Sequence, residues 1–437
     1  MKITFGFLLL FFSFHFLLAQ EVEFTEYDLD NGLHVILHQD NNAPVVVTSV
    51  LYHVGSKDEQ ADRTGFAHFF EHLLFEGTEN IDRGKWFSIV SSNGGQNNAY
   101  TTDDFTYYYE VFPSNNLELG LWLESERMLH PVIDEVGVET QNEVVKEEKR
   151  LRYDNSPYGN WMSNVRKNIF TNHPYHRIPI GKMEHLDAAT LNEFLKFNKK
   201  FYNPNNAVLV VAGDIEVDKT KKMISDYFSE IPKGEEIVRN YPKDQPITEA
   251  LEAEAFDPNI QIPALFTAYR IPKKTTRESR ILNMISTYLS DGNSSKLYRR
   301  LIDEKKMSLQ VSAFNMSLED YGVYVILSLP IGEVSLTDLR DEIDIEIEKL
   351  QNELISEKDY EKLLNKFESD FVTNNGSVQG IANSLAEYYA IFKNTDLINS
   401  EIDIYRSISR EEIKQVANKY LKPNQRLTLN YLPESKN

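Results

Sequence analysis

Cysteine is absent from this sequence of 437 residues. Without cysteine the chain can form neither a disulfide framework nor a thiolate metal site, and it has no cysteine nucleophile. Long apolar runs are equally scarce, because the only one lies at the very N-terminus, from Ile3 to Leu18. A chain of this length exceeds what one hydrophobic core usually supports, so we expect two domains held together by their cores.

Positive charge is also in short supply. The sequence has 46 Lys and Arg against 67 Asp and Glu, which gives a formal net charge of −21. Such a balance argues against nucleic acid as a partner, since phosphate backbones attract basic surfaces. Basic or neutral peptides fit this charge better.

Histidine is missing from the second half, since all ten histidines lie at or before His185. A metal site that uses imidazole must therefore lie in the first half. The nucleophile motif G-x-S-x-G does not occur either, which together with the lack of cysteine disfavours a hydrolase that uses a Ser or Cys nucleophile.

The N-terminal apolar run is typical of a secretory signal. Lys2 precedes it and Ala19 follows it, and the run is short for a membrane span. We expect a signal peptide over residues 1–20, cleaved after Ala19 or Gln20, with an uncleaved anchor as the alternative. The mature chain would have no membrane span and would be exported to the periplasm or cell envelope of a bacterium.

The stretch from Thr64 to Thr78, TGFAHFFEHLLFEGT, contains His68, Glu71 and His72 in the order H-x-x-E-H. On a helix, residues three and four apart share one face, so both imidazoles and the carboxylate would converge on one point. Two imidazoles at this spacing suit zinc, and Glu71 could take a proton from an activated water. Thr64 is expected to cap the helix and Gly77 to end it. The alternative is a core helix with structural histidines.

The motif and its context resemble the inverzincin peptidases of family M16, the group of pitrilysin, insulin-degrading enzyme and mitochondrial processing peptidase. In that family the third zinc ligand is a glutamate about 76 residues after the second histidine, and Glu148 holds that position in NEVVKEEKRLRYDN. The neighbouring Glu147 is an alternative by count. Helical phase favours Glu148, which should lie in the middle of an apolar face formed by Val144, Val145 and Leu151.

The resemblance implies a zinc-dependent endopeptidase with one Zn²⁺ per chain, held by His68, His72 and Glu148, with Glu71 as general base. A salt bridge from Glu148 to Arg152 is the alternative role for that carboxylate. Gln141 stands where many relatives have a further glutamate, so no acidic helper is expected there. Because some relatives have lost the motif, the alternative function is a non-catalytic or weakly active subunit that needs a partner.

The pattern along the chain predicts a duplicated α+β domain. The resemblance implies an α+β fold with two tandem homologous domains, each a mostly antiparallel sheet packed with helices, as in LuxS/MPP-like metallohydrolases. The segments KFYNPN from Lys200 and KYLKPN from Lys419 each follow a helix and precede a buried strand, 219 positions apart, which indicates a duplication. Two unrelated helix–turn–strand endings are the alternative. We expect a catalytic domain over residues 21–235, a linker over 236–254 and a second domain without a metal site over 255–437.

Two further expectations concern the substrate and the partner. Asn98 and Ala99 lie in a segment that resembles the family's substrate-pairing edge strand. Active relatives carry an Arg and a Tyr seven residues apart, on the distal half or on a partner, that contact the substrate carbonyl region. Ile302 and Leu309 occupy those positions here, and neither side chain can donate a hydrogen bond. We therefore expect a heterodimer with an M16-like subunit that supplies the pair, with a homodimer as the alternative.

Overall fold

A computed structural model of the chain describes residues 21–434, so the expected signal segment 1–20 lies outside the described residues. Eleven strands form two sheets in this part of the chain. The strands are β1 (Thr25–Asp28), β2 (His34–Gln39), β3 (Val45–Tyr52), β4 (Gln96–Thr101), β5 (Thr106–Pro113), β6 (Ala207–Gly213), β7 (Leu251–Asp257), β8 (Ala264–Ile271), β9 (Ser308–Ser317), β10 (Gly322–Pro330) and β11 (Arg426–Pro433).

Helices fill the segments between these strands. They are α1 (Phe66–Leu73), α2 (Trp86–Ser92), α3 (Leu117–Leu129), α4 (Glu135–Lys149), α5 (Trp161–Ile169), α6 (Met183–Asp187), α7 (Leu191–Phe201), α8 (Val217–Phe228), α9 (Arg277–Ser290), α10 (Leu336–Asn352), α11 (Glu357–Asn374), α12 (Val378–Glu387), α13 (Leu397–Arg406) and α14 (Arg410–Tyr420). Within residues 21–434, no helix combines the length and apolar character needed to cross a membrane.

The two halves repeat one topology. The first sheet has the order β1-β2-β6-β3-β5-β4, and the second has the order β7-β11-β8-β10-β9. Apart from the extra strand β1, the orders correspond one to one, and both sheets place one parallel pair, β2/β6 and β7/β11, at the same position. The expected α+β fold with two homologous domains is confirmed, and the matching topology supports a duplication.

Each half also contributes one helix that packs on the sheet of the other half. On one face of each sheet lie helices of its own half. The opposite face of the first sheet packs on α12 from the second half, where Ile381 and Leu385 share a core with Val47 and Val210. In return, α5 from the first half packs on the second sheet through Val165 and neighbouring apolar side chains. Because burial of these faces requires both halves, their cores are interdependent.

The connection between the halves has no regular structure from Ser229 to Ala250, yet side chains fix its path. Arg239 and Tyr241 both donate hydrogen bonds to Asp58, at 2.9 and 2.6 Å. Strand β7 begins at Leu251, inside the stretch expected to be linker.

Local sequence signals account for several elements of the first half. The Asp30-Asn31-Gly32 turn joins β1 and β2 as an antiparallel hairpin, with Gly32 at a φ of 87° that favours glycine. Val45 to Tyr52 is a buried strand rich in β-branched residues. Helix α4 continues without a break into a π-helical turn over Arg150–Asp154.

Candidate metal centre

The helix that carries H-x-x-E-H starts in a different way from the one expected. Gly65 precedes it with a φ of 93°, and Thr64 does not cap it, because its hydroxyl lies 2.8 Å from Nδ1 of His185. Glu59 takes the capping role instead. Its two carboxylate oxygens accept hydrogen bonds from the backbone N–H groups of Gly65 and Ala67, both at 2.9 Å. Burial raises the pKa of Glu59, although these two hydrogen bonds act to lower it.

The other end of α1 is also held by residues from elsewhere in the fold. The helix ends at Leu73, four residues before Gly77, so the expected end at that glycine is wrong. The hydroxyl of Tyr108 donates to the carbonyl of Phe70 at 2.8 Å, and buried Arg127 donates to the carbonyl of Leu74 at 3.1 Å. The helix with both imidazoles is therefore anchored to the sheet and to α3.

Glu148 lies on the last turn of α4, whose start is capped by Asp134 through the N–H of Gly137 at 2.8 Å. The apolar face proposed from the sequence is not the buried face of this helix. Val145 is fully buried, but Val144 and Leu151 are 44% and 63% exposed. Glu148 nevertheless points towards α1, because it lies at the border between the buried and exposed sides, with its side chain 15% exposed.

The three expected ligands meet at one point. Their candidate ligand atoms all lie within 4.8 Å of one another. Oε2 of Glu148 is 3.1 Å from Nε2 of His72 and 3.5 Å from Nε2 of His68. In a tetrahedral zinc site with bonds of about 2.0–2.1 Å, neighbouring ligand atoms are separated by about 3.3 Å. The distances therefore suit a zinc ion, and two imidazoles with one carboxylate form a donor set that leaves a fourth position open.

The second carboxylate oxygen of Glu148 has another partner. Oε1 forms an ion pair with Arg152 at 2.8 Å, so the alternative salt bridge and the contact with the histidines coexist on different oxygens. Hydrogen bonds from His68 and His72 hold the pKa of Glu148 well below its usual range, which keeps it ionised as a metal ligand must be. The neighbouring Glu147 points away, half exposed, and pairs with Arg150 at 2.8 Å.

Glu71 lies on the same short helix, half buried, between the two histidines in sequence. Burial is the main cause of the raised pKa values of Tyr108 and Tyr202, and the negative charge of Glu71 also acts to raise both. A carboxylate placed beside the imidazoles can accept a proton from a water at the metal position.

His68 departs from the usual pattern of metal-binding histidines. Such residues almost always donate the second ring N–H to a carboxylate, carbonyl or water. Nδ1 of His68 is buried and has no hydrogen-bond partner among the described residues. Its ring orientation therefore depends on packing and on the position of the helix backbone.

Gln141 has a structural role at the place where many relatives carry a glutamate. Its side-chain amide donates to Glu76 at 2.5 Å, and Arg83 donates to the other oxygen of Glu76 at 2.8 Å. Glu76 is only 9% exposed, so a second carboxylate at position 141 would face it at close range. The amide fits this position because it pairs with Glu76 instead of repelling it.

The expected substrate-binding residues lie on a free sheet edge. Strand β4 ends the order of the first sheet, and among the described residues it pairs only with β5. The side chain of Ala99 is buried, while the backbone N–H of Ala99 is turned from β5 and accepted by the side chain of Asn98 at 2.9 Å. An incoming strand could take over this N–H once Asn98 moves aside.

Ile302 and Leu309 stand at the expected positions of the family's Arg and Tyr. Their surroundings differ. Ile302 packs partly buried against the second core, whereas Leu309 is 52% exposed on the edge strand β9. The nearby Arg300 is engaged elsewhere, since it pairs with Glu342 and Glu346 of α10. Neither it nor the two apolar residues offers a free donor.

Comparison with known proteins identifies the class. Residues 34–180 match the family described as Insulinase (Peptidase family M16), and residues 188–367 match the one described as Peptidase M16 inactive domain. The zinc protease PqqE of Helicobacter pylori is 31% identical over 407 residues, which cover 92% of this chain and 91% of that protein. The chain belongs to peptidase family M16, and the resemblance drawn from the motif is confirmed.

Other relatives and solved structures also match most of this chain. A probable mitochondrial-processing peptidase subunit beta of Arabidopsis thaliana is 22% identical and covers 93% of this chain and 77% of the other. A crystal structure of a protease from Helicobacter pylori superposes with a TM-score of 0.89 at 28% identity, over 94% of this chain and 99% of that one. A peptidase M16 inactive domain from Pseudomonas fluorescens, at 16% identity and a TM-score of 0.84, shares the fold.

Proposed function

We propose that this protein is a zinc-dependent endopeptidase that hydrolyses peptides or unfolded protein segments, with one Zn²⁺ per chain held by His68, His72 and Glu148. The observation that carries the proposal is the convergence of these three side chains from α1 and α4 at distances that suit a zinc ion. The names of several relatives as zinc proteases support the same metal.

The residues around the site divide the work of hydrolysis. A zinc ion bound there supplies Lewis acidity, which makes a water acidic near neutral pH and stabilises negative charge on a carbonyl oxygen. Glu71 accepts the proton of the attacking water and returns it to the departing amine. Glu148 stays ionised beside the imidazoles, and its pairing with Arg152 fixes the orientation of its carboxylate.

The free edge at Asn98 and Ala99 would hold the substrate as an added strand. The strand β4 packs near α1, so a peptide paired with it would pass the metal position. Main-chain hydrogen bonds of this kind favour extended peptides over folded proteins, which is the basis for unfolded segments as substrates.

We further propose that the protein is exported to the periplasm or cell envelope, on the basis of the N-terminal apolar run, and that it works with a second subunit of the same family. Ile302 and Leu309 cannot donate to a developing oxyanion, and loss of such a donor commonly costs a few kcal/mol of transition-state stabilisation. A chain without these donors would be a weak enzyme alone, which is why the partner-dependent function remains the second candidate.

The test combines a chelator with one substitution. Mass spectrometry of peptide mixtures should show cleavage that disappears with the chelator and returns with zinc. Glu71→Gln should abolish cleavage but keep about one zinc per chain, because Glu71 is a proton acceptor and not a ligand. Full activity of Glu71→Gln would remove this residue from the mechanism, and cleavage that is insensitive to chelation would exclude the zinc reaction.

A further inference from the structure

The helix α1 cannot cap its own start. Its eight residues leave few internal hydrogen bonds, and the residue before it is Gly65, which has no side chain. A Cβ at that position would come 3.0 Å from the carbonyl of Ile180, in a conformation that side chains rarely adopt. The one local alternative, Thr64, is occupied by His185 and by the N–H of Lys182.

Glu59 supplies the missing acceptors from outside the helix. It is 7% exposed, and its two oxygens each hold one N–H at 2.9 Å, at Gly65 and at Ala67. Ala67 directly precedes His68, so this carboxylate fixes the backbone at the position from which the first imidazole projects. Each of these two hydrogen bonds satisfies a helix N–H group that has no acceptor within the helix.

Glu59 is itself rigidly mounted. It follows a 3-10 turn over Ser56–Asp58, in which Lys57 binds three carboxylates and Asp58 accepts from Arg239 and Tyr241. Arg177 donates to the carbonyl of Gln60 on the other side, at 2.9 Å. The capping carboxylate thus has the fixed position that a support for a metal ligand requires.

No hydrogen bond orients the ring of His68 from its second nitrogen, because the buried Nδ1 has no partner among residues 21–434. We infer that Glu59 is a positioning residue for the metal centre, which sets the place of His68 through the first turn of α1. The inference rests on the proposed zinc site. Removal of an outer hydrogen-bonding partner typically weakens metal binding 10- to 100-fold, and we expect about 10-fold for Glu59→Gln and up to about 100-fold for Glu59→Ala.

The experiment measures zinc affinity by competition with a chelator, and the visible spectrum after Co²⁺ replaces zinc, in the full-length protein. The matched control is Glu412→Gln, because Glu412 accepts the N–H of Ser409 at 2.8 Å at the start of α14, which carries no ligand. The control should keep wild-type zinc affinity and the wild-type Co²⁺ spectrum. Glu59→Gln should bind zinc more weakly and show an altered Co²⁺ spectrum, since the geometry of the site changes.

The outcomes distinguish a wrong zinc site from a wrong role for Glu59. If the wild-type protein does not bind zinc, or binds it equally well after His68→Ala, the proposed zinc site is wrong. If the wild type binds zinc and Glu59→Gln matches the control in affinity and spectrum, the site stands and the positioning role is overturned. Failure of both Glu59 variants to fold would also overturn it, because the residue would then serve the fold as a whole.

Discussion

Lys57 offers the sharpest test of how the two halves depend on each other. The residue is 2% exposed, and its ammonium group lies 3.0 Å from Asp104 of the first half. It also lies 2.5 Å from Glu319 and 3.3 Å from Asp320, which form the tip of the β9–β10 hairpin of the second half. Substitution to methionine keeps the length of the side chain but leaves three carboxylates without their shared cation.

The expected loss of stability depends on the charged groups that remain around position 57. Removal of one partner of a buried ion pair commonly costs about 3–5 kcal/mol, because a buried charge is left uncompensated. The lower end applies here, since Glu319 is 24% exposed and keeps His53 at 2.7 Å. We expect Lys57→Met to lower the free energy of unfolding in urea by about 3 kcal/mol near neutral pH.

The loss should depend on pH in a defined direction. Burial raises the pKa of Glu319, but the hydrogen bond and charge of His53 and the charge of Lys57 outweigh it and lower the pKa to about 2. A lowered carboxylate pKa stabilises the fold above the ordinary value of about 4.5 and loses this effect as the pH falls towards 2. The difference between wild type and Lys57→Met should therefore shrink below about pH 4.5.

The matched control is Lys222→Met, which removes an exposed lysine that pairs with Asp226 on α8 at 2.8 Å. Exposed pairs of this kind commonly contribute nothing measurable, so the control should unfold like the wild type. A loss for Lys57→Met of under about 1 kcal/mol, or one equal to that of the control, would refute the reasoning from burial. So would a loss that stays constant down to pH 3.

Two other predictions concern the ligand set and the partner. Glu148→Gln should lose zinc on dialysis while Glu147→Gln keeps it, as measured by metal analysis, because only Glu148 approaches the imidazoles; the reverse result would mean that the assignment is wrong. The purified chain should cleave peptides poorly and gain activity when the nearest family relative from the same genome is titrated in, since Ile302 and Leu309 provide no donor. Robust cleavage by the pure chain, unchanged by any partner, would contradict the proposed heterodimer.

Much of the fold could be predicted because its signals are local. The hairpin at Gly32, the buried strand β3 and the repeated helix–turn–strand endings each depend on neighbours in sequence. The exchange of α5 and α12 between the halves left no such signal, because an amphipathic pattern indicates that a face is buried but not which sheet buries it.

The candidate site could also be predicted as far as its signals are local, but not where it depends on residues distant in sequence. His68, Glu71 and His72 share one helix, so their spacing alone brings them together. The helical phase that favours Glu148 is only partly correct, since Val144 and Leu151 are exposed and, of the three apolar residues, only Val145 faces the core. The sequence did not predict that Glu59 caps the start of α1 or that Arg127 holds its end. Neither contact follows a fixed spacing, because both residues lie outside the helix.

The duplicated helix shows where local rules stop. In the second half, α9 lies between β8 and β9 as α1 lies between β3 and β4, and it carries no histidine. It has 14 residues and its own cap, Thr276, which accepts the N–H of Ser279 at 3.2 Å. The eight-residue α1 instead starts at a left-handed glycine and depends on Glu59. Since sequences that only need to fold keep to local rules and functional sites depart from them, the difference between these two equivalent helices is a further argument for the proposed site on α1.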